Sequence, residues 1–449
     1  MEDSRAVQKQ LQVIMSKYST LTINPNRLID AIHSTAKWGA KGVWGPKPTD
    51  TGVCRLALSD FDKQVRDWFI GELGLLKCQI KIDQMGNIFG IYPGKNPGLP
   101  TGIGSHLDTQ PNGGRYDGIY GVLSGLEVLK TFQDNNYVPN YPIAVVNWTN
   151  EEGARFPQSI ISSSVWAGLV PLQHGLNLKS LDDIPVTLGD ELVRIGYNGT
   201  TPASYKENPL AAHFEIHIEQ GPVLQNEQKE IGVVTGVQAY EWNRVTIKGQ
   251  SAHAGTTPMN TRSDALQIAS MCILKGIEIA NAHGGCCTVG TLSLEPSSVN
   301  VIPHLVSFTY DVRHPDSEVV KAIVKESKTE FEKIAIRGIG SPLAKLLAVE
   351  WELMQTSPTV KFNETCVSTV KQAASDIFPG KFREIVSGAG HDSVSTSYVC
   401  PTSMIFIPSR DGLSHTPEEY STPEQISNGF QVLLKTIMAY DEKRANNEI

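Results

Sequence analysis

The sequence of 449 residues predicts an α/β fold that carries an inserted α+β sandwich domain. Three observations support this prediction. Apolar strands alternate with amphipathic helices in the first half, polar residues suited to chemistry follow several of these strands, and the order of elements changes beyond about residue 235. The chain is longer than one typical domain, so we expect two domains.

The elements of the first half follow from the spacing of their apolar residues. A helix is predicted after Pro25, another over residues 60–76, and a hairpin over residues 79–95 around Met85-Gly86-Asn87. Residues 101–109 are predicted as a strand, 121–133 as a helix, and 141–156 as a strand that runs into two glutamates. A further strand is predicted over residues 213–221. Open sheets place functional residues at the ends of such strands.

The second half changes character. Residues 240–255 are predicted as a strand and turn, 261–285 as a helix, 286–295 and 305–315 as strands, and 317–335 as a helix. This order is typical of a small α+β sandwich. We therefore predict a catalytic domain of residues 1–237 and 356–449, which ends in a helix over 424–444, and an inserted lid or dimerisation domain of residues 238–355.

Composition argues against several function classes. The formal net charge of -8 gives no electrostatic reason to expect nucleic acid or an anionic membrane as a partner. The seven cysteines are scattered and never spaced as C-x-x-C, which favours a cytoplasmic location with reduced thiols and no thiolate zinc site. The first nineteen residues lack the apolar region of a secretory signal, and no apolar run approaches the roughly 18 residues of a membrane span.

Histidines and carboxylates gather at predicted strand ends and turns. The stretch GSHLDTQPNGGRYDG (residues 104–118) holds His106, Asp108 and Asp117. Further members of this set are Glu151, Glu152, His217, Glu219 and His415. Imidazole and carboxylate groups suit zinc and related divalent ions. A single histidine is more often structural, so the prediction of a metal site depends on the whole set.

The adjacent pair Glu151-Glu152 admits two interpretations. Successive residues of an extended chain point to opposite sides, so one carboxylate can bind metal while its neighbour acts as a general base. Alternatively, the two acids open a helix, where the N-terminal dipole favours negative charge.

Five motifs resemble those of a known enzyme family in their order and separation: GSHLDTQPNGGRYDG, TNEEGARF, HIEQGPVL, SAHAGTTPM and DGLSHTPEEY. The family is that of the zinc-dependent amidohydrolases, which include N-carbamoyl-L-amino-acid hydrolases, allantoate amidohydrolases and yeast-type β-alanine synthase (β-ureidopropionase), and which belong with the aminoacylases and di-zinc aminopeptidases. The resemblance extends from about Gly39 to the last helix. It implies a di-zinc aminopeptidase-like catalytic domain and a homodimer formed through the lid domain.

The resemblance also implies a centre of two divalent metal ions. Asp117 resembles the carboxylate that bridges the two ions. His106 and His217 would bind one ion, and Glu152 and His415 the other. Zinc is expected, although manganese, cobalt and nickel accept similar ligands.

Catalytic roles follow from the same resemblance. Glu151 resembles the general base that takes a proton from the attacking water and returns it to the leaving nitrogen. His253 resembles a lid-domain histidine that reaches the active site of the neighbouring subunit and stabilises the oxyanion; the alternative is a structural histidine in a glycine turn. Asp108 is expected to orient the imidazole of a metal ligand from outside the coordination shell.

Substrate contacts are implied in both domains. Gln220, Asn300 and Arg313 match positions that hold the substrate carboxylate, and a guanidinium offers such a group a planar fork. The alternative for Arg313 is a solvated surface ion pair. Gly390 is expected close to the substrate. The next residue, His391, is expected to support the site from outside the groups that bind the metal ions.

The implied reaction converts an N-carbamoyl amino acid to the free amino acid, ammonia and carbon dioxide. N-carbamoyl-β-alanine is the preferred substrate, because YPGKN, DNNYVPNY, TPASYKEN and TSMIFIPS are most similar to yeast-type β-alanine synthase. N-carbamoyl-L-α-amino acids and allantoate are alternatives, as is an aminoacylase-like deacylation. EEGARF departs from the EEGSRF usual in bacterial relatives, and Pro157 with the two isoleucines that follow leaves the accepted side chain open. A non-catalytic dimeric scaffold is the remote alternative.

Overall fold

The computed structural model describes residues 21–337 and 348–449. The sequence that bears on a secretory signal, residues 1–19, lies outside the described residues. Contacts between Cα atoms divide the chain into two compact units. One contains the described residues up to Gly236 and those from Lys361 onward, and the other contains Val237–Val360.

Both units contain helices and strands. The helices are α1 (Arg27–Thr35), α2 (Asp60–Leu75), α3 (Ile119–Asp134), α4 (Ile161–Trp166), α5 (Leu172–Leu176), α6 (Leu188–Ile195), α7 (Val223–Asn226), α8 (Ala265–Ala282), α9 (Ser317–Arg337), α10 (Glu364–Ile377), α11 (Asp392–Thr396) and α12 (Pro423–Ala445). The strands are β1 (Ala40–Val43), β2 (Thr51–Val53), β3 (Gln79–Ile82), β4 (Ile88–Tyr92), β5 (Thr101–His106), β6 (Ile143–Trp148), β7 (Ala212–Ile218), β8 (Ile231–Val237), β9 (Ala239–Lys248), β10 (Cys286–Thr288), β11 (Leu292–Glu295), β12 (Leu305–His314), β13 (Ala348–Ser357), β14 (Val360–Lys361), β15 (Phe382–Ser387) and β16 (Thr402–Ile407).

A nine-stranded mixed sheet forms the centre of the first unit. Its order is β14-β8-β16-β7-β5-β6-β4-β3, and β15 pairs with β8. The four central strands β16, β7, β5 and β6 run parallel and are buried along their whole length. Burial on both sides explains why β6 and β16 are mostly apolar, whereas β5 and β7 carry buried polar residues such as His106 and His217. Because parallel strands end at the same edge of a sheet, the segments that follow them emerge side by side.

Most predicted elements of this unit are confirmed. Helix α2 starts after Ser59, whose side chain accepts a hydrogen bond from the Asp62 amide. Strands β3 and β4 form the predicted antiparallel hairpin. Helix α12 begins with a capping box in which Thr422 and Gln425 satisfy each other's backbone amides.

The second unit is a five-stranded sheet that carries two helices on one face. Strands β10, β12, β9 and β13 follow one another across the sheet, and β11 also pairs with β12. Apolar residues of α8 and α9 pack on alternate sheet residues such as Val245, Phe308 and Val312. Among the described residues, α8 alone is long and apolar enough to span a membrane, and its buried residues belong to this packed core.

The second unit differs from the prediction in two places. Residues 286–295 form two strands, β10 and β11, because the chain breaks at residues 289–291 before pairing again with β12. Strand β13 was not predicted. Its side chains are exposed or half-buried, and the register shifts between Leu353 and Gln355, so it lacks the clean apolar alternation that marks a strand.

Candidate metal centre

Two histidines at the ends of central strands face one aspartate. His106 ends β5, His217 lies near the end of β7, and both side chains are buried. The Nδ1 atom of His106 lies 2.9 Å from the carbonyl oxygen of Asp108, and that of His217 lies 2.9 Å from the carbonyl oxygen of Ile218. A neutral ring that donates from Nδ1 to a carbonyl oxygen carries no proton on Nε2, so its Nε2 lone pair is available to a metal ion. The Nε2 atoms of His106 and His217 lie 3.4 and 3.1 Å from Oδ1 of Asp117. Distances of this size suit three atoms that bind the same ion.

A second group of ligands shares the same aspartate. The Nε2 atom of His415 lies 3.5 Å from Oδ2 of Asp117 and 3.3 Å from Oε2 of Glu152. The two oxygens of Asp117 therefore face two different groups of side chains. In each group the possible ligand atoms lie within 4.8 Å of one another. One group has two imidazoles and one carboxylate, and the other has one imidazole and two carboxylates; Asp117 belongs to both. Such donor sets fit two divalent ions.

A third set of side chains also has its possible ligand atoms within 4.8 Å of one another. It consists of Glu215, His217 and His391, all buried. The ring of His391 packs against that of His217 with centroids 4.7 Å apart, and its Nε2 atom lies 3.1 Å from Oγ of Ser387. Burial lowers the pKa of His391 well below its ordinary value. This set shares His217 with the first group, so we assign it no separate ion.

The glycines of the segment between His106 and Asp117 have a steric role. Gly118 has φ +65°, and a Cβ atom there would lie 2.3 Å from Cε1 of His106. A Cβ atom at Gly114 would lie 2.1 Å from Oε1 of Glu419. The backbone thus passes directly over a ligand ring and a buried carboxylate, where a side chain does not fit.

Asp108 contacts the imidazole of His106 through its backbone. Its carbonyl oxygen, and not its carboxylate, holds Nδ1 of His106; the nearest carboxylate oxygen lies 4.0 Å from that nitrogen. The carboxylate oxygens accept instead from the amides of Glu151 and Glu152, each at 3.3 Å. Asp108 therefore fixes the backbone that carries the two glutamates.

Glu151 and Glu152 lie in an irregular turn, so the helix-opening interpretation is wrong. The next helix, α4, begins at Ile161. Oε2 of Glu151 lies 3.5 Å from Nε2 of His106, and burial, followed by the neighbouring carboxylates, raises the pKa of Glu151 well above its ordinary value. Glu152 points to His415, and burial raises its pKa to about 7. The adjacent acids thus lie on different sides of the centre, one in a ligand group and one outside it.

The histidines dominate the electrostatics of Asp117. Burial alone raises the pKa of this carboxyl group. The charges and hydrogen bonds of His217, His106 and His415 outweigh burial and hold the pKa of Asp117 well below its ordinary value. Asp117 is therefore the anionic centre of the arrangement.

Gln220 lies inside the cluster. Its Nε2 atom donates to Oδ2 of Asp117 at 2.7 Å and to Oγ of Ser414 at 3.1 Å.

Gly390 is exposed and lies between β15 and α11. The structure thus brings Gln220 to the predicted ligands, and it places Gly390 on the segment that leads to His391.

Sequence reasoning missed two residues that hold the ligands. Gln110 donates to both carboxylate oxygens of Glu152, from its amide at 3.1 Å and from its side chain at 2.8 Å. Glu419 is buried, and its Oε1 atom accepts from the amides of Tyr116 and Asp117, each at 3.0 Å. Its Oε2 atom accepts from Oγ of Ser414, 3.0 Å away. Glu419 therefore ties the segment of Asp117 to the segment of His415.

We expect Glu419→Gln to lower metal affinity by about 10- to 100-fold, the usual size of effects from groups that support ligands. Glutamine keeps the oxygen that accepts from the two backbone amides, but its NH₂ group can only donate to Ser414, so the hydrogen bond from the Ser414 hydroxyl is reversed and the buried negative charge is lost. Metal content after dialysis against graded chelator measures the change. Glu418→Gln is the matched control, because Glu418 is exposed. Equal metal affinity in the two variants would contradict the assignment.

The three residues predicted to act from the inserted domain lie in the second unit. His253 is exposed, and its Nδ1 atom accepts from the amide of Gly255 at 3.0 Å. Asn300 lies next to it, because its carbonyl oxygen accepts from the amide of Ala254 at 2.9 Å. Arg313 lies near the end of β12.

The chain is similar to known hydrolases over most of its length. Residues 102–439 match the description "Peptidase family M20/M25/M40". The N-carbamoyl-L-amino-acid amidohydrolase of Rhizobium meliloti is 38% identical, covering 93% of this chain and 96% of its own. A ureidoglycolate hydrolase of Oryza sativa is 33% identical over 85% of this chain and 79% of its own. The crystal structure of a hydantoinase/carbamoylase family amidase from Burkholderia multivorans has a TM-score of 0.84 at 42% identity, covering 94% of this chain and 98% of its own.

Proposed function

Because the chain belongs to peptidase family M20/M25/M40, we propose that it is a metal-dependent amidohydrolase that cleaves the carbamoyl group of an N-carbamoyl amino acid. The products are the free amino acid, ammonia and carbon dioxide. The arrangement around Asp117 carries the proposal: three histidines and Glu152 converge on it, and Glu151 lies beside them outside the ligand groups. The name of the Rhizobium meliloti relative supports the substrate class.

The donor set fits two divalent metal ions, and we propose zinc, with manganese, cobalt and nickel as alternatives. His106, Asp117 and His217 would hold one ion, and Asp117, Glu152 and His415 the other. When bound, the ions polarise the scissile carbonyl group and make water a stronger nucleophile at neutral pH.

Proton transfer is the task that we propose for Glu151. Its backbone is fixed through Asp108, and its carboxylate is buried within 3.5 Å of a ligand nitrogen. It would accept a proton from the attacking water and donate it to the leaving nitrogen, which cannot depart as an anion. His253, from the second unit of a neighbouring subunit in a homodimer, would donate a hydrogen bond to the oxyanion.

Binding of the substrate carboxylate is the task that we propose for Arg313, Asn300 and Gln220. Gln220 now donates to Asp117, so its contact with a substrate requires rotation of the side chain. Gly390 is exposed and would allow close approach of the substrate to the backbone.

N-carbamoyl-β-alanine remains the predicted substrate. We expect a higher kcat/KM for it than for N-carbamoyl-L-α-amino acids, allantoate or ureidoglycolate, measured as ammonia release with metal content assayed on the same sample. The relative from Oryza sativa makes ureidoglycolate the second candidate. A higher kcat/KM for an α-amino acid derivative would contradict the preference but not the reaction class. Purified protein that holds no metal and hydrolyses none of these compounds, even with added zinc, would support a non-catalytic scaffold.

A further inference from the structure

We propose that Asp311 is a positioning residue, which fixes the guanidinium of Arg313 for a substrate carboxylate, and that Tyr240 is the platform on which this guanidinium rests. The inference depends on the proposed function, in which Arg313 binds the carboxylate. It concerns only the sheet of the second unit. Neither Asp311 nor Tyr240 belongs to the five motifs that carry the family resemblance.

The register of the sheet places these side chains on one face. In the antiparallel pair of β12 with β9, Arg313 lies opposite Tyr240 and Asp311 lies opposite Trp242. Residues directly opposite each other project to the same side, as do residues two apart along a strand. Val312, between Asp311 and Arg313, is buried in the core on the helix side. The four polar and aromatic side chains therefore share the face that α8 and α9 leave uncovered.

The guanidinium of Arg313 is held from two directions. Both carboxylate oxygens of Asp311 accept from Nε at 3.1 Å, and Oδ2 accepts from Nη2 at 2.9 Å. Cζ lies 5.6 Å from the centroid of the Tyr240 ring. The hydroxyl of Tyr240 accepts from Nε2 of Gln355 at 2.7 Å, so the ring itself is fixed. The ion pair predicted as the alternative for Arg313 exists, but its side chains are only 29% and 23% exposed.

The Asp311–Arg313 pair differs from two other ion pairs among the described residues of this sheet. Arg244–Glu352 and Lys248–Glu350 join β9 to β13, so they connect two strands. Asp311 and Arg313 lie on one strand, so the ion pair between them joins no two strands. A carboxylate beside Arg313 also weakens the attraction of this cation for a second anion. Asp311 can still favour binding by orienting the guanidinium of Arg313, because a preorganised side chain loses less conformational entropy when it binds.

The test is the kinetics of Asp311→Asn with an N-carbamoyl amino acid and with its carboxamide, which lacks the anion. We expect KM for the carboxylate substrate to rise about tenfold, the scale of one freed side chain, with kcat within about twofold. KM for the carboxamide should not change. Glu352→Gln breaks a pair on the same face without contact to Arg313 and should leave both KM values unchanged.

Variants of Tyr240 provide an independent measurement if Asp311→Asn folds poorly. Tyr240→Phe keeps the ring, whereas Tyr240→Leu removes it and should raise KM for the carboxylate substrate alone. A KM that stays constant or falls in Asp311→Asn, or that rises equally for both substrates, would overturn the inference. A wild-type protein that hydrolyses no N-carbamoyl amino acid would instead refute the proposed function.

Discussion

Glu151→Gln is expected to lower kcat by about 10²- to 10⁴-fold, the contribution of a positioned general base, while metal content stays near that of the wild type. Glutamine fills the same volume but cannot carry the proton. The substitution should not disturb the centre, because Glu151 belongs to no ligand group and its backbone is held by Asp108. Steady-state kinetics and metal analysis on the same sample measure both quantities.

The adjacent residue supplies the matched control for this experiment. Glu152→Gln changes the same chemical group one position away, within a ligand group. We expect it to lower metal content as well as kcat, and added metal should restore part of its activity. Retained turnover in Glu151→Gln would remove Glu151 from the proton-transfer step. Loss of metal from that variant would place Glu151 among the ligands.

The sequence predicted those parts of the centre that depend on local order. His106 and Asp117 lie within one glycine-rich segment, and His217 lies near the end of a predicted strand, so the position of these side chains at strand ends followed from the sequence pattern, whereas their assignment as ligands followed from the family resemblance. Glu419 was missed because it acts on the amides of Tyr116 and Asp117, about 300 residues away in the chain. Only the folded structure shows that this glutamate is buried between two ligand segments.

Other differences arise because one residue offers several polar groups. Asp108 was expected to orient His106, and it does so through its carbonyl oxygen, whereas its carboxylate serves the two glutamates. A sequence gives the residue but not which of its atoms makes the contact. Strand β13 was missed for another physical reason. Its exposed residues gain stability from backbone pairing with β9, which leaves little apolar pattern.

Asp117→Ala is expected to abolish binding of both metal ions, whereas His415→Ala should leave about one ion per chain. Asp117 contributes one oxygen to each ligand group, so its loss affects both. His106 and His217 are buried at strand ends, and carbonyl oxygens fix their rings. This group remains intact without His415, which has a side chain 49% exposed.

Metal stoichiometry distinguishes these outcomes without reference to activity. Elemental analysis after gel filtration, followed by calorimetric titration with zinc, should give two sites in the wild type, one in His415→Ala and none in Asp117→Ala. His283→Ala removes a partly exposed histidine of the second unit and should keep both ions. If Asp117→Ala retained one tight ion, the bridging assignment would fail, because a ligand group could then form without the shared carboxylate. If His415→Ala lost both ions, the buried group would not be a site in its own right, and the two ions would have to bind as a single cooperative unit.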